Sequence, residues 1–444
     1  MPKLFQAQSL QSIFAVLLAV AAVFSAINCQ GHDYSFRWNI LCLFLLLLLT
    51  GVYLFFHHSK QRSLSRNPAW ISYCFLALWA FASLLWSPVP SDSLLFWSTF
   101  PVGVFALYLG YQATPQQWLL FKSLLLPLVL IVACYTLYQH QVLHISRPGG
   151  FFLNWNTNAA LMGLLIIPFS FNFLSTQTVI VRHGLGLLFL ITAVAMGLTQ
   201  SRGGVLVLII GLGPVCWMHY QQSKNIRAIA LLLAYFVFGY CIANFLLSGA
   251  LAQRITQPLG TGELDINTLK HLGSGRHALW YAGWQMYLDR PLLGWGLGMF
   301  HWLYSQYRNP LLLEKGSFVH NDYLEILLGL GPIGLLLLML FVCSVGRLFF
   351  LAYRQKNMES LAVASGVIAV LAHSFFTFNL SQSGIVIVLG AYVGSLSRDL
   401  QCDTVSLKTK FQVRKNILFA GTGVFAIAFS VWLLTLLMGF PKSI

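Results

Sequence analysis

The sequence predicts an all-α, multi-pass membrane protein. Of its 444 residues, 58% are hydrophobic and only 8% are charged, whereas a soluble domain carries roughly 25% charged residues. The apolar residues are gathered in long runs that contain almost no charges, as in helices that cross a bilayer. This composition excludes a soluble enzyme, a disordered chain and a secreted disulfide scaffold.

The membrane spans can be located one after another along the chain. About thirteen apolar segments approach the roughly 20 residues that a bilayer requires. The first is expected to be a retained helix, because no well-placed small-residue cleavage site accompanies it. Two short segments and two closely joined ones leave the expected count at twelve or thirteen. The predicted limits are 9–27, 38–56, 69–86, 94–111, 117–138, 155–174, 184–199, 203–219, 226–246, 322–346, 359–377, 380–397 and 416–438.

The placement of lysine and arginine predicts the orientation of these spans. The net charge is +15, from 26 basic and 11 acidic residues, and cytoplasmic loops of membrane proteins carry the excess of Lys and Arg. With the N-terminus inside, the cytoplasmic segments hold 16 of the basic residues and three of the acidic ones. We therefore expect the basic charge to set the topology, and no nucleic acid is predicted as a partner.

This topology divides the chain into three regions. An N-terminal transmembrane bundle of about nine helices is predicted at 1–246, an outer loop at 247–320 and C-terminal transmembrane helices at 321–444. Long ordered loops are usually functional, and this one is rich in Trp and Tyr, which suit a membrane interface. We expect it to form short amphipathic helices in contact with membrane lipids.

Arginines at the outer ends of the spans are the first candidate site residues. Arg147, Arg202 and Arg276 each lie beside glycines on that side. Arginine suits phosphate because its planar fork makes bidentate hydrogen bonds, so their convergence beside a bilayer suggests a lipid-linked diphosphate. The alternative for each is snorkelling to head groups or capping a helix. The short turn around Arg202 favours a ligand, because its glycines allow close approach to the backbone.

Histidines near the same side are further candidates. His320 precedes a predicted helix whose first turn, Asp322–Glu325, has the spacing of a capping box. A neutral imidazole there would act as a general base or donate to phosphate; alternatively, His320 and Asn321 only end the loop. His373 either faces the same cavity or is a satisfied polar residue between helices.

Two further patterns predict neither a nucleotide-binding loop nor a metal site. The segment Gly294–Gly298 alternates glycine with apolar residues but has no Walker lysine and no strand–turn–helix context, so it is expected to be a turn. The acidic residues of the outer side are scattered, without a paired Asp-x-Asp. No metal site and no cofactor are therefore predicted.

The segments around these residues resemble the O-antigen ligase family, which includes O-antigen polymerases and bacterial protein O-oligosaccharyltransferases. Ser201–Gly204 is similar to the family's Ser-Arg-Gly turn, and His373 with Asn379 resembles a His…Asp/Asn signature. Trp155 stands where the family's Asn-Pro-Asn segment has proline. The other matching residues are Gly150, Asn154, Asn156, Ala159, Gly275, Arg276, Trp280, Pro291–Gly294, Gly296, Gly298, Phe300, His320–Leu324, Gly329, Gly331 and Gly334.

The resemblance implies glycan transfer outside the cytoplasm on a glycosyltransferase-C-like fold. The donor would be a glycan on undecaprenyl diphosphate, and an acceptor hydroxyl would displace the lipid diphosphate with inversion, without metal or nucleotide. By position, Arg202 and Arg276 would stabilise the leaving diphosphate, and His320 would orient or deprotonate the acceptor. Arg147 is a weaker phosphate candidate. Further substrate contacts are expected from Asn154, Asn156, Asn321 and His373.

Several acceptors remain open. Lipid A–core is favoured, which would make the chain a ligase of the bacterial inner membrane acting in lipopolysaccharide biosynthesis. The reasons are the single large loop and the short segment after the last predicted span. Another glycan unit would indicate a polymerase, and a protein hydroxyl such as a pilin serine would indicate a protein transferase. A lipid-glycan transporter is the rival from another class, but ionisable residues avoid mid-span positions, where transporters often need them.

Overall fold

The computed structural model describes residues 45–46, 67–152, 154–256, 276–308 and 316–400. The predicted spans 9–27 and 416–438, and all of 38–56 except residues 45–46, lie outside this part of the chain. The described helices are α1 (Pro68–Ala82), α2 (Pro90–Trp97), α3 (Thr99–Gln112), α4 (Pro115–Gln141), α5 (Trp155–Ile166), α6 (Phe169–Ser175), α7 (Val179–Leu198), α8 (Arg202–Ser223), α9 (Ile226–Leu246), α10 (Ala250–Thr256), α11 (Arg276–Asp289), α12 (Phe300–Tyr307), α13 (Asp322–Arg354), α14 (Met358–His373) and α15 (Ser383–Asp399).

The chain is an all-α polytopic membrane protein, as predicted. In the described ranges, seven helical segments are long and apolar enough to cross a membrane. An eighth is the pair α5 and α6, which bends by 41°. Each predicted span from 69–86 to 380–397 coincides with a helix or a pair of helices. The predicted outer loop, 247–320, contains α10, α11 and α12. The boundaries of the three regions and the side of the membrane on which this loop lies stay predictions.

Side-chain caps fix where several of these helices begin. The Asn67 carboxamide accepts a hydrogen bond from the Trp70 amide at 3.0 Å immediately before Pro68 opens α1. Thr114 and Gln117 form a reciprocal capping box around Pro115, the first residue of α4. Proline at the first helical position has no amide to satisfy, so cap and proline together set a sharp helix start.

Small residues bring α3 and α15 into close contact. A Cβ atom at Gly394 would collide with the Leu107 carbonyl, and one at Gly390 would crowd the Gly103 carbonyl. On the facing helix, a Cβ at Gly110 would collide with the Ala391 carbonyl. Glycines on both helices thus let the two backbones touch, which is the usual way that membrane helices gain packing energy.

Helix α13, predicted as one span at 322–346, is broken near its start. Gly331 has φ +67° and ψ −171°, which divides the element into a short first half and a long second half that begins at Pro332. The Leu328 carbonyl has no helical partner, because residue 332 is a proline without an amide hydrogen. Only glycine fits at 331, since its φ is positive and a Cβ there would also collide with the Leu292 carbonyl.

Three donors from elsewhere in the fold satisfy the carbonyls at this break. The Trp295 amide donates to the Leu328 carbonyl at 2.9 Å, and the Gly296 amide donates to the Gly329 carbonyl at 2.9 Å. The Trp79 indole of α1 donates to the Leu330 carbonyl at 2.9 Å. The segment Gly294–Gly298 is therefore a turn, as predicted, but it also caps a broken helix and ties the loop to the bundle.

We expect Trp79→Phe to destabilise the fold by about 1–3 kcal/mol, because it leaves the Leu330 carbonyl without its donor in an apolar environment. The measurement is the thermal unfolding midpoint of the purified protein in detergent. Trp217→Phe is the control, since Trp217 lies on α8 with half of its side chain exposed. An unfolding midpoint for Trp79→Phe equal to that of the control would contradict this account of the break.

Candidate functional site

Five segments meet at one end of the bundle, which we call the site end. They are the start of α5 with Asn156, the turn before α8 with Ser201 and Arg202, and the first residue of α11, Arg276. The residues before α13 contribute His320, and the last residue of α14 contributes His373. The structure thus brings together residues that are separated by more than two hundred positions in the sequence.

Asn156 joins two of the predicted arginine segments. Its carboxamide oxygen accepts from Arg276 Nη2 at 3.0 Å, and its nitrogen donates to Ser201 Oγ at 2.7 Å. Ser201 in turn caps α8, because its hydroxyl accepts from the Gly204 amide at 3.1 Å. The buried Asn156 therefore fixes Arg276 relative to the start of the helix that carries Arg202. This geometry brings Arg202 and Arg276 to the same region, as the phosphate hypothesis requires.

His373 is packed directly against the start of α8. Its ring is fully buried, and a Cβ atom at Gly203 would collide with His373 Nε2. The imidazole fills the space where a Cβ would lie at Gly203, and the Ala159 side chain lies against Gly204. Close approach of a ligand to the backbone of this turn stays a prediction. The glycines are needed for close packing, and His373 faces the same region as Arg202.

Arg276 lies close enough to both imidazoles for their charges to interact. Burial, followed by the nearby positive charge of Arg276, lowers the pKa of His320 to about 4. His320 is therefore neutral at physiological pH. Its Nδ1 is buried and has no hydrogen-bond partner among the described residues.

The backbone and one aromatic contact fix the orientation of the His320 ring. Its φ of +58° lies in the left-handed region, which is uncommon for a residue with a side chain. The imidazole packs edge-on against the Phe378 ring at 4.9 Å between centroids. Asn321, the next residue, caps α13 by accepting from the Tyr323 and Leu324 amides. Asn321 therefore has a structural role here, and direct substrate contact by Asn321 stays a prediction.

Asp322 has a role that the sequence analysis missed. It is buried, and its carboxylate accepts from the Leu380 amide at 3.0 Å and from the Ser374 hydroxyl. Its own amide donates to the Ser374 carbonyl at 2.9 Å. The expected capping box at Asp322–Glu325 is wrong, because Asn321 is the cap. The signal in the sequence was an acidic residue at the start of a predicted membrane span. Such residues are energetically costly to bury and therefore need hydrogen-bond partners.

The side chains of Arg147 and Asn154 make hydrogen bonds to neighbouring backbone groups. The Arg147 guanidinium stacks on the Trp155 ring at 3.9 Å and donates to the Thr199 and Gln200 carbonyls at 3.4 Å, at the end of α7. Asn154 caps α5 by accepting from the Asn156 and Thr157 amides. These contacts explain how Trp155 fits in this segment. Phosphate binding by Arg147 and substrate contact by Asn154 stay predictions.

Gln139 supports the same corner and was also missed. Its side chain donates to the Gly150 carbonyl at 3.0 Å and accepts from the Gly150 amide at 2.8 Å. Gly150 has φ +60°, and a Cβ there would collide with Asn158. A glutamine near the end of an apolar span was a possible signal, because polar side chains between membrane helices usually make such bonds.

Comparison with protein families identifies one match. A family model described as O-Antigen ligase matches residues 187–339, from α7 into the second half of α13. Arg202, Arg276 and His320 all lie in the matched range, and the match confirms the resemblance found in the sequence. Comparison with curated proteins gives no significant match.

We expect His320 to remain active as a base well below neutral pH, because its pKa is lowered to about 4 from 6.5. The part of the pH profile that depends on His320 should therefore fall near pH 4 rather than near pH 6.5. The measurement is a pH profile of kcat/KM, with His320→Gln as the variant and His301→Gln in the loop as the control. An acid limb near pH 6.5 that is lost in His320→Gln alone would contradict the low pKa.

We expect Asp322→Asn to lower activity about tenfold or more while the protein still folds. Asparagine has one acceptor oxygen where Asp322 has two, so it cannot accept from the Leu380 amide, the Ser374 hydroxyl and the Asn379 amide together. The segment that follows His373 and contains Phe378 is then held less firmly. Because Asp322 would act by positioning, kcat should fall more than KM rises. Asp399→Asn, an exposed acid at the end of α15, is the control. Equal activity in both variants would mean that Asp322 does not position the site.

Proposed function

We propose that this chain, whose residues 187–339 match the O-antigen ligase family model, transfers a glycan from undecaprenyl diphosphate to an acceptor hydroxyl. The observation that carries the proposal is the convergence of Arg202, Arg276 and a neutral His320 at the site end. The membrane glycosyltransferase class follows from the family match and the apolar helices. The donor, the acceptor and the roles of individual residues are the proposed parts.

Arg202 and Arg276 would bind the diphosphate of the donor. Each guanidinium can form two parallel hydrogen bonds to phosphate oxygens. Arg202 is also the first residue of the 22-residue helix α8, whose N-terminus favours an anion through its backbone dipoles. Charge develops on the diphosphate as its bond to the sugar breaks. Groups fixed beforehand around that charge stabilise the transition state more than the ground state.

The transfer step is an inverting displacement at the anomeric carbon. The acceptor oxygen attacks that carbon from the face opposite the diphosphate, and the new glycosidic C–O bond forms. The bond between the anomeric carbon and the diphosphate oxygen breaks, and its electron pair leaves with the lipid diphosphate. The acceptor proton passes to the neutral imidazole of His320 and then to water. We propose that no metal ion and no nucleotide cofactor takes part.

The remaining residues would orient this machinery. Asn156 holds Arg276 through its 3.0 Å hydrogen bond and is therefore a positioning residue in the proposal. His373 is packed against Gly203 and would keep the start of α8 in place. Arg147, Asn154 and Asn321 would act in the same way through the turn and the two helix caps that they stabilise.

Lipid A–core is the acceptor that we propose, with the site on the periplasmic face of the bacterial inner membrane. The orientation rests on the excess of basic residues in the predicted cytoplasmic loops. A polymerase using a second glycan unit and a transferase acting on a pilin hydroxyl use the same donor chemistry. A transporter is less well supported, because the charged candidate residues gather at one end of the helices rather than along a path through them.

We expect Arg202→Ala and Arg276→Ala each to lower the transfer rate about 100-fold, the usual cost of removing one strong charge-stabilising donor. Lysine at either position should restore little, because it cannot offer the same fork. The measurement uses purified protein in lipid nanodiscs with a glycan on undecaprenyl diphosphate. Arg308→Ala, an exposed arginine at the end of α12, is the control. Full activity in Arg276→Ala, or activity that EDTA removes and a divalent cation restores, would contradict the proposal.

The same assay decides among the acceptors. Lipid A–core, a second lipid-linked repeat unit and a pilin peptide are each supplied with the donor. Transfer to lipid A–core supports the ligase, chain extension means a polymerase, and a modified peptide means a protein transferase. Donor movement across a sealed vesicle without any transfer would mean a transporter.

A further inference from the structure

A tryptophan at the site end has an unused hydrogen-bond donor. Trp280 lies on α11 one helical turn after Arg276, so the two side chains share a face of that helix. Its indole Nε1 is buried and has no hydrogen-bond acceptor among the described residues. Buried polar groups nearly always have a partner, so the acceptor for this nitrogen must come from outside the described part of the chain.

Other tryptophans of the chain show how an indole with a structural role is held. The Trp295 indole, in the turn that follows α11, donates to the Met286 carbonyl at 2.7 Å. The Trp302 indole donates to the Asp92 carboxylate at 2.6 Å. Indoles also donate to backbone carbonyls of other segments at Trp79, Trp86 and Trp97. Trp280 differs from all of these, which indicates a role other than holding the fold together.

A phenylalanine ring lies beside this donor. Phe376 follows the end of α14, where its amide donates to the His373 carbonyl at 2.8 Å. The centroids of the Phe376 and Trp280 rings are 6.4 Å apart, and the ring planes are inclined by 32°. Although Phe376 is apolar, 37% of its surface is exposed. An open apolar ring face therefore lies next to an unused hydrogen-bond donor.

Both rings lie close to the residues that are proposed to act in the transfer. Arg276, one turn before Trp280, is near enough to His320 for their charges to interact. Phe376 is two residues before Phe378, so the Cα atoms of these phenylalanines are at most about 7 Å apart. The Phe378 ring in turn contacts the His320 imidazole at 4.9 Å between centroids. The exposed ring face is thus near both the diphosphate-binding arginine and the base of the proposed reaction.

We propose that Trp280 and Phe376 form a subsite for one pyranose ring beside the bond that is exchanged; the inference rests on the proposed function and deepens it. A pyranose has an apolar face of C–H groups, which packs against an aromatic ring, and hydroxyl oxygens at its edge, which accept hydrogen bonds. Phe376 contacts the C–H face, and Trp280 Nε1 donates to a hydroxyl. A lipid chain would cover the rings but offers no acceptor for the indole. The pyranose belongs to the donor or to the acceptor, and the experiment separates these two sources.

The variants separate the hydrogen bond from the ring contact. Trp280→Phe removes the indole donor and keeps an aromatic ring, whereas Trp280→Leu removes both. Trp284→Leu is the matched control, because Trp284 lies one turn further along α11, is half-exposed and packs against Tyr287 at 5.2 Å between centroids. Phe376→Leu removes the second ring, and its control is Phe238→Leu on α9, where the phenylalanine is 60% exposed.

The first measurement is KM for the undecaprenyl diphosphate donor and for the acceptor that the wild type uses. We expect Trp280→Phe to raise one of the two KM values about fivefold, the size of one net hydrogen bond. Trp280→Leu and Phe376→Leu should raise it about tenfold, while kcat changes less than twofold. The larger rise shows whether the pyranose is part of the donor or of the acceptor. Both control variants should behave as the wild type.

Undecaprenyl diphosphate without a sugar distinguishes binding from a structural effect. As a competitive inhibitor it needs the arginines but has no pyranose, so its Ki should be the same in Trp280→Leu as in the wild type. A raised Ki would mean that Trp280 only positions Arg276, and it would overturn the subsite. Unchanged KM values for both substrates in Trp280→Leu and Phe376→Leu would also overturn it, because lipid or water would then cover the rings.

A binding measurement tests the subsite even if the wild type transfers no glycan, in which case the proposed function fails. The probes are methyl β-D-glucopyranoside and methyl N-acetyl-β-D-glucosaminide, followed by saturation-transfer NMR with the protein in nanodiscs. Saturation should reach the sugar ring protons in the wild type and in Trp284→Leu, and it should be lost in Trp280→Leu. Saturation that is absent from the wild type, or equal in all three proteins, would overturn the subsite. Trp280→Phe and Phe376→Leu replace Trp280→Leu if that variant does not fold.

Discussion

Three consecutive carbonyl groups lose their helical partners where α13 breaks, and inside an apolar bundle each needs another donor. Trp79 of α1 and the amides of Trp295 and Gly296 supply those donors. The bonds do more than satisfy the broken helix, because they join the turn Gly294–Gly298, α1 and the short half of α13 in one unit. That short half begins at Asp322, two residues after His320. The position of the imidazole thus depends on bonds made about ten residues further along the chain.

The site combines cationic and neutral groups in a small volume. Arg276 is fixed by Asn156 and lies near His320, whose protonated form it disfavours together with burial. Under the proposed function, the same positive charge that binds the diphosphate would also keep the neighbouring imidazole unprotonated. One electrostatic arrangement would then both stabilise the leaving group and maintain the base.

Much of this could be predicted from the sequence, because apolar runs and capping residues carry strong local signals. Each predicted span from 69 to 397 coincides with one or two helices, although only seven or eight of the described segments are long and apolar enough to cross a membrane. Polar residues at the ends of the predicted spans identified Arg202, Arg276 and His320 as candidates that the fold brings to one end. The rest depended on tertiary contacts. Sequence spacing suggested a capping box at Asp322, but Asn321 took that position because Asp322 was needed to bind the segment at Ser374 and Leu380. The glycines after Arg202 predicted close approach of a ligand to the backbone, but nothing in the sequence indicated that a histidine about 170 residues away packs against Gly203.

The contact between His373 and Gly203 has a wider consequence. His373 is followed by Ser374, which Asp322 holds, so the beginnings of α8 and α13 are interlocked through the end of α14. No long flexible side chain lies in this linkage, and the spacing between Arg202 and His320 is correspondingly rigid. Under the proposed function, this rigid spacing would restrict the size of only two groups: the sugar whose bond is broken and the acceptor group that carries the attacking hydroxyl. Glycans of very different length would then fit equally well, because every sugar beyond the first would lie outside the space between Arg202 and His320.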